Sequence, residues 1–187
     1  MKQAQVLTER DTKQVLAHIS RSAYPARNRS MFLLMLYSGM RVGEIAALDV
    51  GDVIDNNGKI RDQILLKAYQ TKGRHARTVL LNSQAQQELG RYLHELKAKA
   101  DTPLFLSKVG KRFSPNSLAQ VFGRLYDDCG LDLATSHSTR RTFCTRLAEQ
   151  GTAIHIIAAL AGHRNISTTM VYLTANENVM RAAVELL

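Results

Sequence analysis

The sequence has few of the residues and segments that define several large protein classes. Its 187 residues include only two cysteines, Cys129 and Cys144, which cannot form a disulfide framework and lack the CxxC spacing of a zinc site. We therefore expect reduced thiols in a cytosolic protein. No run of about 18 apolar residues is present, and the first residues lead into no apolar signal segment. Neither a membrane-spanning helix nor a signal peptide is predicted.

Acidic residues are fewer than basic ones, and this imbalance suggests a polyanionic partner. The chain has 25 lysines and arginines against 16 acidic residues, a net charge of +9. The stretch 59–77 contains one acidic residue, Asp62, and six basic ones: Lys59, Arg61, Lys67, Lys72, Arg74 and Arg77. Such a stripe is a plausible footprint for nucleic acid, but a solvated charged face is an equally good interpretation.

Helical patterns dominate the chain. Thr8 and Asp11 form a capping-box-like start for a first helix, and the dense apolar run at 31–36 predicts a helix buried on all sides, which Gly39 ends. Further helices are predicted at about 41–48, from 83 onward, from Ser114-Pro115 to about 129, from a Ser136 cap to Gly151, from 154 to Gly162, at 168–173 and at 177–187.

One region has β character. Asn56-Asn57-Gly58 is typical of a turn, and apolar residues at 60, 64–66 and 79–81 supply strand material, with Lys72-Gly73-Arg74 between the second and third strands. No repeat or linker is visible, and 45% hydrophobic with 22% charged content fits a globular domain. The predicted fold is one mainly α domain with a small antiparallel β-sheet (α+β) over residues 1–187.

Several polar residues stand at conspicuous positions in the predicted helices. Two pairs, Arg41 with Glu44 and His137 with Arg140, are three residues apart, so each pair shares one helix face. The second pair is near a helix N-terminus, which favours anions. Taken alone, each residue is better explained as ordinary helix surface or core. The ordered set is harder to dismiss; it comprises Arg41, Lys72, His137, Arg140, His163 and Tyr172.

With this ordered set, the sequence resembles the catalytic domain of the tyrosine recombinases, the lambda-integrase family, over nearly its whole length. Four segments carry the resemblance. They are SGMRVGEI at 38–45, like the family's TGLRxxE box; Thr71-Lys72-Gly73, like the turn with its catalytic lysine; HSTRRTF at 137–143, like its HxxR box; and Leu160 to Tyr172, like its LGH and STTxxY ending. The resemblance implies the DNA breaking-rejoining enzyme fold.

Four of these residues are implied to bind and orient phosphate. Two guanidiniums suit this chemistry, because they can neutralise the non-bridging oxygens of a phosphodiester as charge develops in the transition state. These roles go to Arg41 and Arg140, while Glu44 orients Arg41 and His163 hydrogen-bonds a phosphate oxygen. Nearby basic residues are candidate DNA contacts; they are Arg74, His75, Arg77 and Arg141.

Three residues are implied to break the DNA strand. Tyr172 would attack the phosphodiester, form a covalent 3′-phosphotyrosine and free a 5′ hydroxyl. Lys72 would protonate the leaving 5′ oxygen as general acid, and His137 would assist proton transfer at the tyrosine. Because the phosphotyrosine retains the bond energy, religation needs no ATP. The resemblance also implies no cofactor, no metal ion and no small-molecule substrate, and the sequence has no convincing carboxylate cluster.

The resemblance implies site-specific recombination or integration of double-stranded DNA by an enzyme of phage or mobile-element type. Two alternatives share the fold. One is a type IB topoisomerase-like relaxing enzyme, and the other is a non-catalytic DNA-binding regulator, which the complete set of six site residues argues against. Exchange between two duplexes would separate recombination from relaxation.

Three expectations concern the whole protein. Family members usually carry an N-terminal domain that clamps the DNA, and we expect it to be absent here because the chain starts too late to contain one. Either the chain is an excised catalytic domain, or it is one of the short recombinases that lack the clamp. The apolar segment after Tyr172 is expected either to fold back on its own domain or to join neighbouring subunits into a tetramer on DNA. The protein is expected in the cytoplasm, associated with the nucleoid.

Overall fold

Helices make up most of the regular structure. The computed structural model describes residues 4–96, 99–171, 181 and 184–185. The helices are α1 (Glu9–Ile19), α2 (Pro25–Ser38), α3 (Val42–Ala46), α4 (Val50–Val53), α5 (Ser83–Leu96), α6 (Pro115–Asp127), α7 (Ser138–Glu149), α8 (Ile154–Ala161) and α9 (Ser167–Met170). Between α4 and α5 lie strands β1 (Gln63–Leu66) and β2 (Arg77–Leu80), with a 3₁₀ turn at Ala68–Gln70. The predicted α+β class is confirmed.

Local capping explains where two of the helices begin. Thr8 Oγ1 accepts a hydrogen bond from the Asp11 N–H at 3.1 Å, and the Asp11 carboxylate accepts from the Thr8 N–H at 2.9 Å. Ser114 caps α6 in the same way, with Pro115 as the first helical residue. Both starts confirm the sequence prediction, because a side-chain cap satisfies backbone donors that a helix leaves unpaired.

The predicted start of α7 needs a correction. Its N-cap residue is His137, and Ser136 does not cap the helix. Neighbouring hydroxyls satisfy this turn instead: Thr135 Oγ1 accepts from the His137 N–H at 3.2 Å, and Ser138 Oγ accepts from the Thr135 N–H at 2.9 Å. His137, a residue of the predicted site, therefore occupies the N-cap position of α7.

The sheet is smaller than the sequence indicates. Strands β1 and β2 pair antiparallel, with Ile64 opposite Val79, and both of these residues are buried. The first of three expected strands is reduced to an isolated bridge between Ile54 and Ile60. Across the turn, Ile60 has only Ile54 to pair with, because the chain is still helical at Val53, the last residue of α4.

Helix α2 lies at the centre of the core and positions the later helices. All six residues at 31–36 are buried, which confirms the prediction for this helix, and α2 packs against α5 and α7. Helix α8 packs on α7, and α9 packs on α8. Within the described part of the chain, no helix is long and apolar enough to cross a membrane. The helix predicted at 177–187 lies mostly outside the described residues.

Candidate active site

Arg41 is held at the start of α3 by contacts to two segments. Gly39 ends α2 with a φ of 62°, and the chain then turns so that Arg41 becomes the N-cap residue of α3. Arg41 Nη1 lies 3.0 Å from Glu44 Oε1, and Nη2 donates to the Gly162 carbonyl oxygen at 3.3 Å. The side chain is 29% exposed, so the guanidinium is anchored but still reachable.

Glu44 is a buried carboxylate between two arginines. Its side chain is 1% exposed and accepts from Arg77 Nη2 at 2.7 Å, in addition to its contact with Arg41. Burial by itself would raise the pKa of Glu44, but the hydrogen bonds and charges of Arg77 and Arg41 outweigh burial and hold the pKa below its ordinary value. Glu44 is therefore an anion at neutral pH and fixes the guanidinium of Arg41.

Arg140 is a buried cation with an unused donor. It lies in the first turn of α7, where its Nη1 donates to the Gly39 carbonyl oxygen at 2.7 Å. Its Nη2 is buried and has no hydrogen-bond partner among the described residues. Burial, and then the charge of Arg41, lower the pKa of Arg140 to about 10, so the group is still protonated at neutral pH. A buried guanidinium with a free donor suits an anionic ligand.

His137 and His163 are kept neutral by partial burial and by neighbouring cations. Burial first, then the charges of Arg140 and Arg41, lower the pKa of both imidazoles, and the pKa of His163 falls to about 4. His163 follows the C-cap Gly162 of α8, and its Nδ1 lies 2.8 Å from Thr169 Oγ1. Both rings therefore enter any reaction at neutral pH in the neutral form.

Two adjoining cavities form one open cleft beside these residues. Their volumes are about 540 Å³ and about 610 Å³. His163 lines the first cavity and His137 lines the second. Both cavities are lined by Arg41, Glu44, Thr71 and Lys72. Arg140 is close enough to this cleft for its charge to lower the pKa of both histidines.

The turn that carries Lys72 is held at its base by a buried amide. Gln70 Nε2 donates to Asp52 Oδ2 at 2.7 Å and to the Ala47 carbonyl oxygen at 3.1 Å, and its Oε1 accepts from the Lys67 N–H at 2.8 Å. Lys72 itself is exposed at the edge of the cleft. Sequence reasoning missed Gln70, because its carboxylate partner is 18 residues away and no local pattern relates the two.

The structure thus brings five of the six residues of the predicted catalytic set together. They are Arg41, Lys72, His137, Arg140 and His163. The sixth, Tyr172, lies outside the described residues. Helix α9 precedes it, and Thr168 of that helix lines the cleft. The roles predicted for these residues stay predictions.

The four candidate DNA contacts lie in two different environments. Arg74 and His75 are exposed in the turn beside the cleft. Arg77 lines the cleft as well, but its guanidinium is bound to Glu44, and Arg141 Nη1 donates to the Ala4 carbonyl oxygen at 2.6 Å. Arg164, which sequence reasoning did not single out, also lines the cleft and contacts His75. Its position directly after His163 is the one signal that could have pointed to it.

Metal-ligating side chains do not cluster in the described parts of the chain. No group of three or more His, Cys, Asp or Glu side chains is arranged there to hold a metal ion. Cys144 is fully buried against Ile157 and Ala161, and burial raises the pKa of its thiol to about 11. Cys144 is therefore a packed residue and its thiol is not disulfide-bonded.

Comparison with known proteins establishes the family. The sequence profile of the phage integrase family matches residues 5–178. The chain belongs to the phage integrase family. The resemblance to tyrosine recombinases is therefore confirmed for nearly the whole of this integrase-family chain.

Curated relatives of this phage integrase family chain are recombinases and a resolvase. Tyrosine recombinase XerC of Vibrio cholerae is 31% identical over 150 residues, which are 78% of this chain and 46% of the relative. The TnP I resolvase of Bacillus thuringiensis is 30% identical, over 86% of this chain and 54% of the relative. The chain spans about half the length of the curated relatives it matches.

Solved structures of phage integrase family members share the fold. The crystal structure of XerA recombinase matches 100% of this chain with a TM-score of 0.77 and 26% identity, over 66% of that chain. The Tn1549 transposon integrase, in complex with transposon right end DNA, matches with a TM-score of 0.79 and 22% identity, over 100% of this chain and 67% of its own. The catalytic domain of bacteriophage HP1 integrase matches with a TM-score of 0.70 and 21% identity, over 98% of this chain and 95% of that chain.

Proposed function

We propose that this chain is the catalytic domain, residues 1–187, of a site-specific tyrosine recombinase or integrase that cuts and rejoins double-stranded DNA. The observation that carries the proposal is the pair of arginines. Arg41 is reachable from the cleft, and Arg140 keeps a buried Nη2 without a partner among the described residues. Two such cations held rigidly near one cleft suit a phosphodiester, whose charge increases in the transition state.

The proposed reaction is an in-line transfer of a phosphoryl group between two oxygens. The Tyr172 oxygen attacks phosphorus as its proton passes towards His137, and the bond from phosphorus to the 5′ oxygen breaks. Lys72 delivers a proton to that departing oxygen, which leaves as a 5′ hydroxyl. Arg41 and Arg140 hold the non-bridging oxygens. Rejoining is the same step in reverse with a 5′ hydroxyl from another strand.

Neutral imidazoles fit their proposed roles in this reaction. A neutral His137 can accept the phenolic proton, since its pKa is lowered by burial and by the cations around it. A neutral His163 adds no further positive charge beside the two arginines and hydrogen-bonds a phosphate oxygen. The phosphotyrosine keeps the energy of the broken bond, so rejoining needs no ATP. In the proposed scheme the two arginines stabilise the charge on the phosphate, and the scheme includes no cofactor, metal ion or small-molecule substrate.

The proposed partner is double-stranded DNA. The Tn1549 integrase is seen in complex with transposon right end DNA, and a XerH recombinase is bound to a palindromic difH substrate. In this chain, exposed Arg74 and His75 at the cleft are the proposed backbone contacts, whereas Arg141 is engaged with the protein. We place the protein in the cytoplasm with nucleoid DNA, and we propose that four subunits assemble on two recombination sites.

The test is covalent trapping on a nicked suicide substrate, analysed by denaturing gel electrophoresis. Wild-type protein should form an adduct that resists EDTA, and Tyr172→Phe should form none while binding DNA normally. Tyr69→Phe is the matched control, because Tyr69 is an exposed tyrosine whose side chain lines the cleft. An adduct at wild-type level from Tyr172→Phe would refute the assignment.

A second assay separates recombination from its alternatives. Two labelled duplexes that carry the same site are incubated with the protein, and exchanged products are scored beside relaxation of a supercoiled plasmid. Exchanged duplexes are expected. Relaxation without exchange would assign a topoisomerase-like activity, and DNA binding without any adduct would assign a regulator.

A further inference from the structure

The side chain of Arg77 is directed into the protein and all three of its nitrogens are engaged there. Arg77 is the first residue of β2, and its side chain is only 14% exposed. Nη2 and Nε donate to the two carboxylate oxygens of Glu44 at 2.7 and 3.3 Å. Nη1 donates to the Leu160 carbonyl oxygen at 3.1 Å. Such a bidentate pair, with a third bond on the remaining nitrogen, leaves Arg77 little capacity for a DNA phosphate.

The end of α8 is also packed directly against this side chain. Gly162 has a φ of 65° and closes α8 in the left-handed conformation. A Cβ atom at Gly162 would lie 2.6 Å from Arg77 Cδ and 2.9 Å from its Nε. The glycine is therefore required by contact as well as by backbone conformation. Arg41 donates to the carbonyl oxygen of the same glycine.

One side chain thus joins three segments that carry residues of the proposed active site. Through Glu44 it holds α3, whose N-cap residue is Arg41. Arg77 itself belongs to β2, so these contacts also hold the strand that follows the Lys72 turn. Through Leu160 and Gly162 it holds the end of α8, directly before His163.

We propose that Arg77 is a positioning residue of the active site, which sets Arg41, the Lys72 turn and His163 relative to one another, and is not a DNA contact. The proposal rests on the proposed strand-cleavage function. It replaces the expectation that Arg77 binds the DNA backbone. Misplacement of catalytic groups by about 1 Å can cost about 10²-fold in rate. We therefore expect a loss of about this size when Arg77 is removed.

The first test separates positioning from DNA contact. Arg77→Met keeps a long side chain and should slow adduct formation at saturating DNA by about 10²-fold. It should leave the salt dependence of DNA binding unchanged. Arg74→Met, in the exposed turn, should instead lower the slope of log K against log salt by about 0.9, the value for one phosphate contact.

The chain contains a control for the loss of an arginine that pairs with a buried carboxylate. Glu88 is also largely buried and is paired with two arginines, Arg29 and Arg91, with Arg29 Nε at 2.9 Å. This second cluster joins α2 to α5 and does not line the cleft. Arg29→Met should lower thermal stability but leave adduct formation at the wild-type rate. If lost stability alone slowed cleavage, Arg29→Met would be slowed as well as Arg77→Met.

The second test needs no DNA and therefore does not depend on the proposed function. The carboxylate of Glu44 faces Arg41 and Arg77, and Arg140 lies close enough to interact with it. Burial favours the protonated acid and the arginines favour the anion. Arg77→Met should therefore raise the pKa of Glu44, measured by carbon-13 NMR of the side-chain carboxyl. Arg77→Lys restores the positive charge and should bring the pKa of Glu44 most of the way back to its wild-type value.

The same shift should appear in the pH dependence of cleavage. With Glu44 protonated at a higher pH, the acid side of the rate profile should move to higher pH in Arg77→Met and move back in Arg77→Lys. Suppose that wild-type protein forms an adduct. If Arg77→Met then forms it at the same rate, and its Glu44 has the same pKa as in wild type, the inference is wrong. If the slope of log K against log salt for DNA binding is lower in Arg77→Met, Arg77 is a DNA contact. If wild-type protein forms no adduct, the proposed function fails, and the NMR titration still decides the position of Arg77.

Discussion

Arg41 and Arg140 have the same side chain but different surroundings, and the difference suggests how they divide the work. Arg41 is partly exposed and has a carboxylate partner in Glu44. Arg140 is 5% exposed, donates to a backbone carbonyl oxygen and has one nitrogen without a partner among the described residues. We expect Arg140 to be more sensitive to substitution, since its buried donor has no partner among the described residues and can donate to an anionic ligand.

Arg140→Ala should slow DNA cleavage by about 10²–10³-fold, as is typical for the loss of one electrostatic donor in a transition state. Arg140→Lys should rescue little, because an ammonium cannot reach the Gly39 carbonyl oxygen and a phosphate in the same fork geometry. The measurement is single-turnover adduct formation. Arg146→Ala, on the same helix but contacting Thr12, is the control and should cleave normally. Near-normal cleavage by Arg140→Ala would remove it from the phosphate site.

The low pKa of His163 predicts how the folding stability of the protein depends on pH. The pKa is about 4 in the folded protein and 6.5 ordinarily, so the unfolded chain binds the proton more readily between these values. The free energy of unfolding should therefore fall as the pH falls from 6.5 to about 4. Because carboxylates also titrate there, the readout is a comparison: His163→Gln should show a shallower fall in urea denaturation. His155→Gln, on exposed α8 surface, is the control, and identical curves for wild type and His163→Gln would contradict the assignment.

At the scale of the elements, one glycine sets how closely α2 approaches α7. Gly39 has a φ of 62°, and a Cβ atom there would lie 2.8 Å from Phe143 Cε1 and closer still to Cδ1. The carbonyl group of Gly39 accepts the Nη1 bond of Arg140. The junction that ends α2 therefore also orients an arginine of the proposed site.

Gly39→Ala should destabilise the protein and misplace Arg140 at the same time. The left-handed conformation costs an alanine about 1–2 kcal/mol, and the clash with Phe143 adds about 1–3 kcal/mol for overpacking. Gly58→Ala isolates the first cost, because Gly58 has a φ of 76° and nothing within 4 Å of its Cβ position. Chemical denaturation gives both stabilities, and adduct formation should fall in Gly39→Ala alone. Equal effects of the two variants would show that the contact with Phe143 has no role.

Local sequence signals predicted the start of elements better than their extent. Thr8 with Asp11 and Ser114 with Pro115 mark helix starts, because a cap needs only residues within one turn. The short helix α4 was not predicted, since four residues carry no periodicity. It also removed the length that the expected first strand required.

The candidate site was predictable as a set of residues but not as a set of contacts. The boxes around Arg41, Arg140 and His163 are short continuous motifs, so they can be recognised in one sequence. The bond between Glu44 and Arg77 joins residues 33 positions apart. Tertiary packing decides that Arg77 points inward, and the same basic stripe could equally have been solvated.

At the scale of the whole molecule, the most informative surface is apolar. Four large apolar residues of α8, α9 and their connection are 44–57% exposed; they are Ile156, Ile166, Met170 and Val171. They form what we call the α8–α9 surface. Burial of such side chains is favourable by about 25 cal/mol for each Å² removed from water. In the proposed assembly, the apolar segment at 177–187 of a neighbouring subunit covers this surface.

Assembly on DNA should therefore depend on both the α8–α9 surface and the segment at 177–187. Ile156→Asp, and separately deletion of 177–187, should leave binding to a single site intact but prevent four subunits from joining two sites. The measurement is sedimentation velocity with a two-site DNA, alongside adduct formation. Val109→Asp is the control, because Val109 is 68% exposed in a different loop. An exchanged segment makes the same apolar contacts in a neighbour that it would make in its own subunit, so DNA-free wild-type protein should be monomeric or weakly associated. If both variants assemble and cleave like wild type, neither part joins the subunits.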